Sequence, residues 1–526
     1  MKNLSRTLIF FAAAIVMASA GCASGDHSVP YSPNKVPPSI ERKADALTHA
    51  LERDGFQVKR GYWFVFGIPE CQYAVQVMGN CYGNNPAAPY IVPALPPWPE
   101  EYVEQSYRNA FGLLLPGYNS IYRFDPKEAI IILAQLPPAA AYFGLQTYEF
   151  SREGTINTQD PVYKFLVEHG IPQIVQLFFN YTPNPKRIRI FASIGNSNNN
   201  VVVERKSGAS FGQERFFIIT PDQFMERNMR QALLDAGVPD AKDIFVEPVA
   251  PPLELGLGEK AYDFMTWIRY AMPAELSAGD QWRKDLPMVI LRVRDARANR
   301  SPEAYAPVTL ETRVAEPEAY LQADFDKLIN AVKEYHVQPG ATALPIFDIQ
   351  SLVDLVGPHC NVRGMNCLGD TQDTSYQGTF WVYFENNPLP EIPAETEAAA
   401  LDNDQVYAVV GTLATKTNNA VYVNLSIYVA QTLTGVESID SANLANTANR
   451  FSDKVDNADK FYVYYFTRDC ASKHLTNCTS VTTDKIPIGA GFRVIQRNYI
   501  KPSTERGADS TKLLSPKLIK LDGSKM

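Results

Sequence analysis

Six of the seven cysteines fall into three short-range pairs, a pattern that suits either disulfide or metal chemistry. Two cysteines at such spacings can close a local disulfide in an oxidising compartment, or they can share a zinc ion with a nearby histidine. His359 and His474 are near enough to take part, but neither neighbourhood has the C-x-x-C or H-x(3-5)-H spacing of a zinc site. We therefore predict three disulfides, each of which fixes a local turn: Cys71 with Cys81, Cys360 with Cys367, and Cys470 with Cys478.

Ser210 is the only residue whose surroundings spell a nucleophile motif, Gly208-Ala-Ser210-Phe-Gly212. In α/β-hydrolases the G-x-S-x-G serine stands on a sharp turn between a strand and a helix. Residues 200–205 predict the strand before it, but residues 213–220 predict a second strand where the helix should begin. A glycine-rich hairpin turn is therefore the favoured interpretation. The hydrolase stays open as an alternative, with Asp295 and then His336 or His359 following in chain order.

Two acidic clusters could offer oxygen ligands to calcium. One contains Asp402 and Asp404, and the other contains Asp453, Asp456 and Asp459. Neither has the D-x-D-x-D-G spacing with a later glutamate that an EF-hand requires, so solvated loops are favoured. The chain also lacks an H-E-x-x-H motif and a glycine-rich phosphate loop. We therefore predict no metal, no cofactor and no nucleotide, and the catalytic residues remain unknown.

Cys22 is the cysteine without a nearby partner, and it follows a segment with the form of an export signal. Lys2 and Arg6 precede an apolar run over residues 8–18, and small residues lead up to Cys22. The Ala-Gly-Cys ending resembles the bacterial lipoprotein signal, which implies a palmitate-type lipid anchor on Cys22 and, with Ala23 next, delivery to the outer membrane. Ordinary secretory cleavage after Ala20 is the alternative, and it would leave an unpaired thiol.

Composition limits the other classes of partner. The 526 residues carry a formal net charge of −8, with 45% hydrophobic and 20% charged residues, which is typical of a globular protein. An acidic surface argues against nucleic acid, which requires a basic patch. With 27 Tyr, 27 Phe and asparagine-rich loops, a glycan or protein ligand is a reasonable expectation, although aromatic residues also fill sheet cores.

The elements that would position these residues predict a mixed α+β protein with a β-rich, sandwich-like body and a central α/β segment. The predicted regions, in order, are a signal peptide (1–21), a tether (22–42), a β-rich region (43–182), an α/β region (183–345), a second β-rich region (346–500) and a polar basic tail (501–526) that we expect to be a solvated end. The two β-rich regions are expected to pair with each other. No internal repeat is evident.

Individual segments give sharper expectations. Strands are predicted at 129–135 and 142–150, joined as a hairpin, and helices at 40–54 and 259–271. A further helix is predicted after a Thr220 cap, and another over 321–335. Taken together, the sequence predicts a lipid-anchored envelope protein of non-catalytic binding or assembly function. A surface or periplasmic hydrolase is the alternative.

Overall fold

Four β-sheets and the helices that cover them make up most of the chain. The computed structural model describes residues 34–168, 172–250, 252–297, 299–348, 357–379, 401 and 404–526. Over these residues the fold is mixed α and β with a β-rich body, as predicted. No helix in the described part of the chain is long and apolar enough to cross a membrane.

The first part of the chain, which we call the first repeat, runs from residue 38 to residue 295. Its elements are α1 (Pro38–Arg53), β1 (Phe56–Arg60), β2 (Tyr62–Phe66), α2 (Ile68–Met78), β3 (Tyr90–Ala94), β4 (Glu128–Gln135), β5 (Ala140–Glu153), α3 (Pro161–Glu168), α4 (Pro172–Phe178), β6 (Arg187–Ser193), β7 (Asn198–Asn199), α5 (Asn200–Ser207), β8 (Glu214–Thr220), α6 (Gln223–Asp235), β9 (Ile244–Pro248), β10 (Asp263–Pro273), α7 (Leu276–Asp285) and β11 (Met288–Asp295).

The second part, which we call the second repeat, runs from residue 322 to residue 522. Its elements are α8 (Gln322–Tyr335), β12 (Ala343–Pro345), β13 (Phe347–Asp348), α9 (Gly357–Arg363), β14 (Thr374–Gly378), β15 (Gln405–Thr412), β16 (Tyr422–Val429), β17 (Thr434–Asp440), α10 (Ser441–Leu444), β18 (Phe461–Thr467), β19 (Cys478–Ser480), β20 (Phe492–Tyr499) and β21 (Lys517–Asp522).

The two repeats have the same sheet topology, which contradicts our expectation of no internal repeat. Each has an outer sheet, with order β1-β11-β4-β8-β9 in the first repeat and β12-β21-β15-β18-β19 in the second. Each also has an inner sheet, with order β2-β3-β10-β5-β6 and β13-β14-β20-β16-β17. If the short strand β7 is set aside, every strand has the same place in both orders. Even the exception to antiparallel pairing recurs, because β8 with β9 and β18 with β19 are both parallel.

Packing follows the same layers in both repeats. In the first repeat, α1 and α6 cover the outer sheet, and the other face of that sheet packs against the inner sheet. In the second repeat, α8 takes the place of α1, and the two sheets again enclose a core. The inner sheets then meet each other: Tyr142 and Ala271 pack with Tyr422 and Tyr499. The Tyr142 and Tyr499 ring centroids are 4.5 Å apart.

Helix α1 confirms the prediction for 40–54 and begins slightly earlier, within the predicted tether. Pro38 occupies the first turn, where a missing N–H costs nothing. Ile40, Ala44, Leu47 and Leu51 are buried along one face at helical spacing. Each side chain of this kind stabilises the fold by about 1.5–3 kcal/mol when fully buried, less for alanine.

The predicted hairpin of 129–135 and 142–150 is wrong, although both strands exist. β4 lies in the outer sheet between β11 and β8, whereas β5 lies in the inner sheet between β10 and β6. The Pro137-Pro138 connection therefore crosses from one layer of the sandwich to the other. The same pairings show that strands from 61–153 share sheets with strands from 187–295 and not with those of the second β-rich region.

Two segments have the opposite secondary structure from the one predicted. Residues 200–205 form helix α5, because Asn199 accepts hydrogen bonds from the backbone N–H groups of Val201 and Val202 and caps the first turn. Residues 263–273 form strand β10 where a helix was predicted over 259–271. Both faces of β10 are buried, so its sequence lacks the polar and apolar alternation that marks a half-exposed strand.

The predicted basic tail is part of the fold. β21 lies between β12 and β15 in the outer sheet of the second repeat, and Leu518, Ile519 and Leu521 are buried there. The expectation of a solvated end is therefore wrong. The helix predicted after Thr220 is confirmed as α6, but its cap is Asp222, whose carboxylate accepts from the N–H of Phe224.

Candidate functional site

The cysteine pairs form the three predicted disulfides, and two of them lie at equivalent places in the two repeats. Cys71 in α2 bonds to Cys81, and Cys360 in α9 bonds to Cys367. The third, Cys470 with Cys478, closes the loop before β19. The Cα atoms of the three pairs are 5.2, 6.0 and 5.9 Å apart.

Each of the two equivalent disulfides leads into a turn of the same sequence pattern, N-C-x-G, which we call the NCxG turns. The first is Asn80-Cys-Tyr-Gly83 and the second is Asn366-Cys-Leu-Gly369. Both have two consecutive residues in the left-handed region: φ is 55° and 66° at Tyr82 and Gly83, and 58° and 71° at Leu368 and Gly369. A non-glycine residue in this region is uncommon and strained, so its recurrence indicates one required backbone shape.

The two NCxG turns are exchanged between the repeats. In the first turn, the N–H groups of Cys81 and Gly83 donate to the carbonyls of Thr432 and Leu433, just before β17. In the second turn, the N–H groups of Cys367 and Gly369 donate to the carbonyls of Ile190 and Phe191 in β6, with N to O distances of 2.9 and 2.8 Å. Each repeat thus extends its turn onto the other, as in a two-fold symmetric dimer.

A buried arginine from each repeat completes this exchange. Arg269 of β10 donates to the carbonyl of Gly369, with an N to O distance of 2.8 Å, and Arg497 of β20 donates to the carbonyl of Gly83, at 2.5 Å. Each guanidinium also donates to a tyrosine hydroxyl on the neighbouring strand of its own repeat, Tyr148 for Arg269 and Tyr428 for Arg497.

The register of the inner sheets makes these two arginines equivalent. Arg269 lies opposite Gly144 on β5, and Arg497 lies opposite Asn424 on β16. In both cases the hydroxyl partner is the tyrosine four residues farther along that neighbouring strand. Residues an even number of positions apart in a strand have their side chains on the same face. The tyrosine in each repeat therefore lies on the same face as the residue opposite the arginine, and the same contact forms in both repeats.

Aromatic rings surround both guanidinium groups. Arg269 lies over Tyr90 and Trp267, with 5.1 and 5.6 Å from the guanidinium carbon to the ring centroids. Arg497 lies over Tyr376, at 5.9 Å. Guanidinium groups are attracted to aromatic faces, and the attraction increases when water is excluded.

Neutral groups are the direct partners of these two positive charges. Among the described residues, neither guanidinium has a carboxylate oxygen within 4.0 Å, whereas the buried Arg123, Arg187 and Arg292 each form a close ion pair. The partner tyrosines supply no negative charge at neutral pH, because burial raises the pKa of both Tyr148 and Tyr428 above the usual value. A buried charge without an ion-pair partner is costly, and an anionic ligand would lower that cost.

Two carboxylates lie behind this arrangement and are held by neutral donors. Asp370 accepts from the N–H and hydroxyl of Ser193 at 2.9 and 2.8 Å, and from Gln372 at 2.7 Å. Asp373 accepts from the hydroxyl of Tyr142 at 3.0 Å and from Thr371 at 2.9 Å. Burial raises the pKa of both carboxyl groups, although their hydrogen bonds and the positive charge of Arg269 oppose that change.

A cavity of about 50 Å³ lies at this junction of the two repeats. A space of about 10–15 Å³ on this measure admits one water molecule, so the cavity has room for a small ligand. Tyr82 contributes to its lining, and the Tyr82 hydroxyl is buried without a hydrogen-bond partner among the described residues. The lining also includes Gly83, Gly369, Arg269 and Arg497, together with Tyr90, Cys367, Leu368, Asp370, Tyr376, Leu433, Ile495 and Tyr499.

The residues proposed for a hydrolase are not arranged as an elbow and triad. Ser210 is buried in the connection from helix α5 to strand β8, which is the reverse of the strand-to-helix order that the elbow needs. Asp295 is engaged by Arg297 and Arg300, at 2.7 and 2.8 Å. His336 has its Nε2 atom 3.0 Å from the Tyr465 hydroxyl, and burial lowers its pKa to about 4. His359 lies in α9.

The other predicted sites have different outcomes. Cys22 and Asp402 lie outside the described residues. Asp404 and Asp456 approach lysines, Lys473 at 3.5 Å and Lys327 at 3.7 Å. Within the ranges that the structure describes, no group of three or more His, Cys, Asp or Glu side chains could hold a metal ion.

Sequence reasoning missed Arg269, Arg497 and the cavity between the repeats. The available signal was the pair of NCxG tetrapeptides, because each follows a helix that carries the partner cysteine. That repetition is short, and it identifies the turns but not the arginines that reach them.

Comparison with known proteins adds little. No protein-family model matches the chain. No curated protein sequence matches it either. Among solved structures, the VPA0106 protein from Vibrio parahaemolyticus is 10% identical, with 92% of this chain and 96% of that one covered and a TM-score of 0.34. A putative uncharacterized protein from Burkholderia cenocepacia is 9% identical, with 93% and 96% covered and a TM-score of 0.34.

Proposed function

We propose that this protein is an exported, lipid-anchored envelope protein of non-catalytic function, which binds a small ligand where its two repeats meet. The observation that carries the binding proposal is the cavity lined by Arg269 and Arg497, two buried cations whose direct partners are neutral. Envelope localisation, at the outer membrane, rests on the signal-like segment that ends at Cys22.

The cysteine pairing supports the anchor. All six other cysteines are in disulfides, which are typical of exported proteins, and Cys22 is then the one cysteine left for another role. Lipid attachment gives that cysteine a function, whereas secretory cleavage would leave it as a reactive thiol.

Binding is favoured over hydrolysis by the chemistry of the cavity. Guanidinium groups stay protonated throughout the physiological pH range and present several N–H donors, so they hold an anion without exchanging protons with it. The hydrolase alternative depends on Ser210, and the helix-to-strand connection around Ser210 does not support it.

The test of the anchor is a native, non-reducing mass spectrum of the protein purified from its own membranes. We expect a chain that begins at Cys22, carries acyl chains and has six fewer hydrogens than the reduced form. The variant C22S should move from the membrane fraction to the soluble fraction, while the variant S19A should stay in the membrane. A chain that begins at Gly21 and carries no lipid would refute the anchor.

A further inference from the structure

We infer that the cavity between the repeats binds one small divalent oxyanion, of the phosphate or sulfate class. This rests on the proposed binding function and specifies its ligand. The inference begins from symmetry: Arg269 and Arg497 occupy equivalent positions on equivalent strands, and both line the cavity. A ligand that satisfies both guanidiniums needs two negative charges and oxygens that point in more than one direction.

The size of the cavity restricts the ligand. A space of about 50 Å³ suits an ion of a few heavy atoms, and it is far below the 300 Å³ or more of pockets that enclose drug-sized molecules. A nucleotide or a sugar phosphate would require the two repeats to separate. The free ion is therefore the form that this geometry selects.

Tyr82 breaks the symmetry of the site, because the equivalent position in the second repeat is Leu368, whose side chain cannot hydrogen bond. The Tyr82 hydroxyl is buried without a partner among the described residues, and a water-sized probe does not reach it. Tyr82 therefore shapes the wall of the cavity with its ring, and the two guanidinium groups remain the charged donors for the ion.

Asp370 is the one acidic residue in the lining, and its hydrogen bonds favour a second role. Its two oxygens are taken by Ser193, Gln372 and the N–H of Gly357, so it fixes the second NCxG turn beside β6. Asp370 therefore helps to set the position of the Gly369 carbonyl that receives Arg269, and it forms no ion pair within 4.0 Å with either guanidinium group.

The experiment is a titration of the full mature protein, in detergent and chloride buffer, with sodium phosphate or sodium sulfate. Isothermal titration calorimetry should show saturable binding at one ion per chain. The melting temperature should rise with phosphate and should not rise with sodium chloride at the same ionic strength. Binding that does not saturate by millimolar phosphate would overturn the inference.

Variants locate the ion. R269K and R497K keep the charge but lose the planar fork, and each should weaken binding by at least about tenfold. Y102F, which alters a half-exposed tyrosine outside the cavity lining, is the matched control and should bind as wild type does. Equal phosphate affinity in wild type, R269K and R497K would overturn the assignment.

A second arm separates the free ion from a phosphate group on a larger molecule. Glycerol 3-phosphate should bind more weakly than inorganic phosphate, because its glycerol does not fit the cavity. Tighter binding of glycerol 3-phosphate would overturn the assignment of a free ion and indicate a lipid headgroup. A different small molecule found by native mass spectrometry, with no phosphate binding, would refute the anion and keep the binding function. The absence of any ligand in either assay would refute both.

Discussion

Alanine substitution at the two equivalent glycines of the NCxG turns should have very different costs, although the backbone is the same at both. At Gly83 the added Cβ would meet only the Nη2 atom of Arg497, at 3.7 Å, which is an ordinary contact. At Gly369 the added Cβ would lie 2.7 Å from Cζ and 2.8 Å from Cε1 of Phe191.

The expected loss of folding stability in these alanine variants has two contributions. Both glycines have a left-handed φ, and an alanine there costs about 1–2 kcal/mol. At Gly369 the ring of Phe191 must also move, but it is fully buried and packs edge-on against Trp267, with ring centroids 4.7 Å apart. Overpacking of this kind adds about 1–3 kcal/mol. We therefore expect G83A to lower the free energy of unfolding by about 1–2 kcal/mol and G369A to lower it by about 2–5 kcal/mol.

Urea denaturation followed by tryptophan fluorescence measures both variants, and Trp267 reports directly on this region. The double variant G369A/F191L tests whether the Phe191 ring is the cause. A leucine at position 191 is smaller and more flexible, so it should restore part of the stability that G369A loses through this contact. If G83A and G369A destabilise equally, or if G83A is worse, the contact with Phe191 does not control the stability of the turn and the reasoning fails.

Two further predictions concern titration and redox chemistry. Burial raises the pKa of Glu247 to about 7, although Thr147 and Gln146 hydrogen bond to its carboxylate and lower it. Because this folded-state pKa lies above the unfolded value of about 4.3, the stability that Glu247 contributes falls as the pH rises from about 4 to 7 and is constant above that. The neutral variant E247Q should gain stability relative to wild type over that interval, measured by urea midpoints at pH 5, 6, 7 and 8, and a pH-independent difference would contradict this. Under mild reduction with alkylation, peptide mass spectrometry should find Cys470 and Cys478 labelled first, because they are partly exposed while the other two disulfides are buried; early labelling at Cys71 would contradict this.

One kind of segment that the sequence predicts correctly has a single buried face. Helical spacing relates Leu321, which directly precedes helix α8, to Phe325, Leu328 and Val332 within the helix, and all four pack on the outer sheet of the second repeat. Periodicity predicts such elements because a single boundary between core and solvent determines the pattern. The sequence also predicts strands over 215–220, 244–247 and 287–293 from their β-branched and aromatic residues. These are confirmed as β8, β9 and β11, although β8 and β11 are buried on both faces.

The segments that it predicts wrongly are buried on all sides or decided by one cap. The alternation over 421–428 predicts one buried face and one wetter face, with Tyr422 and Asn424 on the wetter one. In β16 both faces are buried, since the inner sheet is covered on both sides. Helix α5 contains three consecutive valines, which favour a strand, and the Asn199 cap overrides that preference. The sequence also predicts a strand at 379–384, and that segment lies almost wholly outside the described residues.

The candidate site depends on pairings between residues far apart in the chain. Arg269 and Gly369 are separated by 100 residues, and Arg497 and Gly83 by 414. The sequence contains both NCxG tetrapeptides but no local sign that an arginine from the other repeat reaches each one. Strand order and register bring them together, and neither can be derived from spacing in a single sequence.

One chain carries both halves of this two-fold arrangement, so the two sides of the cavity between them need not be identical. In a dimer of identical subunits, every substitution beside the axis appears twice, and a ligand on the axis meets two equal half-sites in two equivalent orientations. Here the equivalent positions carry different residues, Tyr82 against Leu368 and Asn84 against Asp370. The two sides of the cavity are therefore unequal, so the proposed ion would have one preferred orientation. Its affinity would not depend on protein concentration, because two half-sites in one chain cannot dissociate.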